Sequence, residues 1–175
     1  MNIWVLNYND ARNFVPTEPT MAIRIFDPGA ASKPMLEAEY SDYPEQRWRN
    51  CPQAPFPVED YVSAPGFTFE DLDLDQYPDD IRCRLIREGR NHLTANTADQ
   101  IVKEFMRVGD RITALMVHCH AGASRSVAVA NALDESFRLG ATWRGHAGKC
   151  KLETPDYIGN QFVYRLVCEA AVRLM

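Results

Sequence analysis

The junction at 112–139 constrains this chain more than any other stretch. Ile112 to Val117 is an unbroken apolar run of strand length. Unbroken rather than alternating hydrophobicity suits a strand covered on both faces of a parallel sheet. Directly after it comes His118-Cys119-His120-Ala121-Gly122-Ala123-Ser124-Arg125-Ser126, and residues 126–139 then read as an Ala- and Val-rich helix ended by Gly140. A buried strand, a short glycine-bearing loop and a helix therefore follow one another without a spacer.

The rest of the chain repeats that alternation. Ile3–Leu6 and Ala22–Phe26 read as strands, the second closed by the turn signal Asp27-Pro28-Gly29. Phe67–Phe69 reads as a third, followed by the acidic run Glu70-Asp71-Leu72-Asp73-Leu74-Asp75. A helix is expected from about Asp79, carrying Arg82, Arg84, Arg87 and Arg90. Thr97 is placed as the N-cap of another, with Gln100 at the capping-box position. Ile101, Val102, Phe105 and Met106 give that helix an apolar face to about Val108, where Gly109-Asp110 ends it. Thr154-Pro155 is expected to open the last helix, with Ile158, Phe162, Leu166 and Ala170 as its buried stripe. The expected class is α/β, a mostly parallel central sheet flanked by helices.

A chain of 175 residues suits one domain over 1–175 with a single core. It includes a Pro-rich irregular segment at about 28–65, with a short helix around Pro34–Glu39. Hydrophobic residues at 46% and charged residues at 25% exclude a disordered chain. A net charge of −5 counts against non-specific binding to nucleic acid or to an anionic membrane. No apolar stretch reaches the ~20 residues that span a bilayer. Cys51, Cys83, Cys119, Cys150 and Cys168 show no CxxC and no regular spacing, so neither a disulfide framework nor a metal site is expected. Met1-Asn2-Ile3-Trp4 lacks a basic region followed by an apolar run, and a cytoplasmic location is the expectation.

A glycine loop between a strand and a helix N-terminus is an anion cradle, because backbone N–H groups converge there and the helix dipole favours negative charge. Gly122 permits a backbone conformation that a side chain would hinder. Arg125 stands at the helix start with a planar fork suited to bidentate contact with phosphate oxygens. In that field the Cys119 thiol is placed to ionise and act as a nucleophile. Ser126 is placed to hydrogen-bond the sulfur, and His118 to hydrogen-bond loop backbone from behind.

His118-Cys119-x-x-Gly122-x-x-Arg125-Ser126 resembles the HCxxGxxR[ST] signature of the cysteine-dependent protein tyrosine phosphatases. The strand–loop–helix context late in a short chain resembles the dual-specificity branch, and in particular its small bacterial and phage-type members. The resemblance covers roughly two-thirds of the chain and is specific only around Cys119. It implies a phosphatase-like fold and hydrolysis of phosphate monoesters through a phosphocysteine without a cofactor. Phosphotyrosine is the first expected substrate, with phosphoserine and phosphothreonine beside it on protein partners. Cys119, Arg125 and Ser126 take catalytic roles in this reading. His118, His120, Ala121, Gly122, Ala123, Ser124 and Arg125 bind the phosphate. Other readings are a non-catalytic phosphate-binding module, or a phosphatase acting on RNA 5′-phosphates or phosphoinositides.

The reaction also needs an acid for the leaving oxygen, and the family takes it from an aspartate upstream of the cysteine. Asp71, in an apolar-x-Asp pattern after Phe69, is chosen, with Asp73 second. Asp75, Asp79 and Asp80 are read as solvated acidic loop. The arginines of 82–90 are read as a solvated helix face, and His146, Lys149 and Lys151 as a surface loop. For Asn160 a cap and a pocket contact both stand.

Overall fold

In the computed structural model, residues 1–28, 56–145 and 157–175 are described. Five strands, β1 (Asn2–Leu6), β2 (Thr20–Phe26), β3 (Gly66–Thr68), β4 (Ala114–His118) and β5 (Thr142–Gly145), form one sheet in the order β3-β2-β4-β1-β5. Every described pairing is parallel. All five residues of β4 are buried, as its unbroken apolar sequence requires. Both His118↔Leu6 and His118↔Arg24 are in register, so β4 is clamped between β1 and β2 at its carboxyl end.

Among the described residues five helices flank the sheet: α1 (Tyr8–Asn13), α2 (Asp79–Arg87), α3 (Ala95–Val108), α4 (Arg125–Phe137) and α5 (Gln161–Leu174). Alternation along the strands divides the apolar residues between two faces. Ile3, Val5, Ile23, Ile25, Leu115 and Val117 join Ile101 and Phe105 of α3, Val129 and Leu133 of α4, and Val163 and Val167 of α5 in the main core. Leu6, Ala22 and Met116 meet Ala11 of α1 and Tyr61 on the other face, with Trp4, Phe14 and Phe56 packed around them. Burying one such aliphatic side chain contributes about 1.5–3 kcal/mol before chain entropy is counted, so the two cores hold the sheet rigid beneath its loops. Among the described residues no helix is long and apolar enough to cross a membrane.

Several boundaries move from their expected places. The N-cap of α3 is Thr94, whose Oγ1 accepts from the Thr97 N–H at 3.2 Å. Thr97 is therefore the capped residue and not the cap. Leu93 and Ala98 are both buried on either side of the cap, the positions that set a helix entry angle in a hydrophobic staple. The last helix begins at Gln161, with Asn160 as its cap. Ile158 precedes it in non-helical chain, and its buried stripe is Phe162, Val163, Val167, Ala170 and Ala171. Two short elements, α1 and β5, are additions to the expected set. The expected helix at Pro34–Glu39, most of the Pro-rich segment, and His146, Lys149, Lys151, Thr154 and Pro155 lie outside the described residues.

Candidate active site

The carboxyl ends of β1, β2, β3 and β4 lie along one edge of the sheet, where ligands gather in open parallel sheets. The loop 119–124 leaves β4 there and runs into α4. Its shape is fixed by the backbone beneath it. Gly122 has φ +71°, and a Cβ at that position would lie 2.5 Å from the Asn7 nitrogen and 2.6 Å from the Leu6 carbonyl carbon. No other residue fits that close approach at that backbone angle. The Tyr8 N–H donates to the His120 carbonyl at 3.2 Å, tying the loop to the start of α1.

Cys119 is 2% exposed at the base of the loop. Its Sγ lies 3.1 Å from Ser126 Oγ and accepts the Gly122 N–H at 3.3 Å. The backbone N–H groups of Ala121, Ala123, Ser124 and Arg125 have no acceptor among the described residues. Ala121 and Ala123 are exposed, Ser124 half-buried and Arg125 buried, so these converging donors at a helix N-terminus open to solvent and are suited to an anion. Ser124 precedes α4 but makes no side-chain cap to it. Its Oγ donates instead to Asp71 Oδ1 at 2.7 Å, which leaves the helix N-terminus open to a ligand.

Arg125 is 3% exposed. Nη1 donates to the Phe69 carbonyl at 2.6 Å and lies 2.7 Å from Asp27 Oδ1. Nε is buried with no partner. The guanidinium is thus held by one of its nitrogens, while its Nε side is unsatisfied.

Asp71 and Asp73 take different places. Asp71 Oδ1 receives both the Ser124 hydroxyl and Asn160 Nδ2, the latter at 3.0 Å. Oδ2 has no partner among the described residues. Asp73, the second choice, is turned to the start of α5, where its two oxygens accept the Gln161 and Phe162 N–H groups at 3.1 Å each. Asp75 is not solvated loop either. Its carboxylate pairs with Arg165 at 2.8 Å and is held below its usual ionisation range by that hydrogen bond.

His118 supports the loop differently from the expectation. It is 1% exposed, and neither ring nitrogen completes a hydrogen bond among the described residues. The ring sits among Tyr8, Phe26 and Phe56, with centroids 5.8–5.9 Å apart. Burial, then the nearby Arg24 cation, push its pKa down to about 3 against the opposing Cys119 backbone. His118 is a neutral packing piece behind the loop. Arg24 lies against the same rings, 5.0 Å from the Phe56 centroid, with Nε on the Ala64 carbonyl.

The segment after 156 also reaches the loop. The Tyr157 hydroxyl donates to the Ala123 carbonyl at 2.7 Å. Gly159, at φ +80°, passes so close that a Cβ would lie 2.4 Å from the Ser124 carbonyl. Asn160 fills both roles left open for it: Oδ1 accepts the Val163 N–H as helix cap and Nδ2 holds Asp71. Sequence reasoning missed Asp27, read only as part of a turn, and Tyr157. The adjacency of β2 to β4 is what brings Asp27 in, and strand order is not written in local pattern. A cavity of about 730 Å³ along α5, lined by Tyr164, Cys168 and Val172 among others, shares no residue with the loop.

No protein-family model, curated protein or solved structure matches this chain.

Proposed function

We propose that this chain is a cysteine-dependent phosphatase of the dual-specificity type, hydrolysing phosphate monoesters through a phosphocysteine. The observation that carries the reading is the cradle. Cys119 Sγ lies under a loop whose N–H groups of Ala121, Ala123, Ser124 and Arg125 lack acceptors, with the buried, unpartnered Nε of Arg125 beside them. That set of donors matches the equatorial oxygens of a phosphoryl group.

In the first step the Cys119 thiolate attacks phosphorus and the bond to the leaving oxygen breaks. Asp71, through its unshared Oδ2, delivers a proton to that oxygen as it departs. In the second step water attacks phosphorus, Asp71 takes the water's proton, and the P–S bond breaks to return the thiolate. Ser126 steadies the sulfur as a leaving group. The developing charge on phosphorus is met by the loop N–H groups and Arg125. The contact of Asp71 with Ser124 of the loop favours turnover over mere phosphate binding, because it puts a carboxyl beside the cradle. The substrate class we favour is phosphotyrosine, with phosphoserine and phosphothreonine peptides as further substrates.

Hydrolysis of an aryl phosphate by the wild type, Cys119→Ser and Asp71→Asn across pH tests this. Turnover that vanishes in Cys119→Ser, with a phosphoenzyme trapped in the wild type on rapid quench, is the expected result. A wild type without turnover sinks the proposal.

A further inference from the structure

We infer that Asp27 is a positioning residue for the phosphate clamp: its carboxylate anchors Nη1 of Arg125 so that the opposite edge of the guanidinium, Nε and Nη2, faces the bound oxyanion. This inference rests on the proposed phosphatase reading and deepens it.

A guanidinium is a planar fork with five N–H donors, and only paired donors on one edge contact two oxygens at once. Which edge is offered depends on what holds the others. Here two oxygens hold Nη1, the Phe69 carbonyl at 2.6 Å and Asp27 Oδ1 at 2.7 Å. They come from the carboxyl ends of β3 and β2, both outside the catalytic loop. Nε is buried and empty, and Nη2 takes no partner among the described residues. A buried donor without an acceptor is costly, and an oxyanion in the cradle removes that penalty.

The same geometry separates Asp27 from a competitor. A carboxylate competing with phosphate would take the Nε–Nη2 edge, whereas Asp27 takes Nη1. Its side chain is 40% exposed while that of Arg125 is 4% exposed, so it closes the outer end of a buried cation. Phe69 is itself fully buried. Its carbonyl is one fixed point and Asp27 the second, and two points define the plane of the fork where one leaves it free to swing.

Binding of inorganic tungstate, a phosphate-like oxyanion, measured by calorimetry in the Cys119→Ser protein tests this apart from turnover. Asp27→Ala is expected to weaken binding about tenfold, the scale of one charge-assisted contact. Asp27→Asn, which keeps an oxygen for Nη1, is expected to lose less. Repeated in an Arg125→Lys background, Asp27→Ala is expected to lose nothing further, since a lysine has no edge to orient; a structural role would weaken binding in both backgrounds equally. Equal losses in the two backgrounds overturn the inference, as does unchanged or tighter binding by Asp27→Ala. If Asp27→Ala does not fold, Asp27→Asn in the two backgrounds decides it by the same criterion. Tungstate that fails to bind the Cys119→Ser parent overturns the phosphatase reading and this inference together; normal binding and turnover in proteins that keep Asp27, with no coupling, overturns this one alone.

Discussion

Two charged runs lie a few residues apart, and they are built on different principles. In Asp71-Leu72-Asp73-Leu74-Asp75 every second residue is a leucine, and both leucines are buried. The alternation fixes the backbone so that each carboxylate has one destination: Asp71 on Ser124 and Asn160, Asp73 on the first N–H groups of α5, Asp75 on Arg165. In α2 no residue is buried, and its charges pair close by, Arg82 with Asp79 and Arg84 with Glu88. A charge becomes a functional group when apolar neighbours remove its freedom. Without them it stays a solvated surface charge. The prediction of a solvated face is right for α2 and wrong for Asp75, and the interleaved leucines are the difference.

The largest expected break of this contrast is at Asp71. Asp71→Asn keeps the shape and removes the proton, and kcat is expected to fall by about 10²–10⁴, the usual scale of general acid catalysis. The loss should shrink for substrates whose leaving group needs no proton, such as highly activated aryl phosphates. An equal loss for good and poor leaving groups would assign Asp71 to structure. Next comes Asp73, which touches α5 and not the cradle. Asp73→Ala leaves the Gln161 and Phe162 N–H groups open, and caps of this kind contribute about 0.5–2 kcal/mol. In a domain of this size that lowers Tm by roughly 2–4 °C per kcal/mol. Because Asp71 is two residues away on the same strip, kcat should fall with KM nearly unchanged, and Asp73→Asn should recover part of both. A stability loss with intact kcat would show that the strip does not position the acid.

What the sequence makes legible follows from the same distinction. β4, the loop and α4 are readable because an unbroken apolar run, a Cys–Gly–Arg spacing and an Ala/Val helix all act locally. β5 is not, since Thr142-Trp143-Arg144-Gly145 lies at the sheet edge with no apolar run, and only its pairing with β1 makes it a strand. Thr97 looked like a cap because Gln100 follows at the right offset; buried Leu93 moves the start to Thr94. Thr154-Pro155 is a good local start signal, but α5 begins at Gln161 because Asp73 and the cap Asn160 between them satisfy its first N–H groups. Asp27 and Asn160 reach the site only through strand order and helix docking, which no spacing along the chain encodes.

Smaller effects test the ends of the contrast. The carboxyl of Asp75 is held below its usual range by the Arg165 hydrogen bond. The folded state therefore binds that proton less readily than the unfolded chain, so the stabilisation is present above about pH 4 and is lost as pH falls below it. Arg165 is 43% exposed, and solvent screening limits such a pair to about 1 kcal/mol or less. Asp75→Asn should accordingly lower stability slightly at pH 7, by an amount that shrinks steadily as pH falls below about 4. A gap that stays the same size as the pH falls would mean that packing, not charge, holds Asp75.

The smallest effect belongs to α2. Arg84 and Glu88 stand 3.7 Å apart with side chains 65% and 55% exposed. The basic residue is N-terminal to the acidic one, the weaker arrangement on a helix. Removing Arg84 therefore takes away a screened contact that is poorly oriented from the outset. Arg84→Ala should change stability by no more than about 0.5 kcal/mol and leave kcat/KM for a small aryl phosphate unchanged. The informative measurement is kcat/KM on an acidic phosphopeptide beside the aryl phosphate. If only the peptide value falls, by tenfold or more, α2 recruits substrate through its arginines, and a run without buried neighbours has acquired a function by exposure instead. Equal values for both substrates leave α2 as a solvated face and confine the working charges to the strip where leucines hold them.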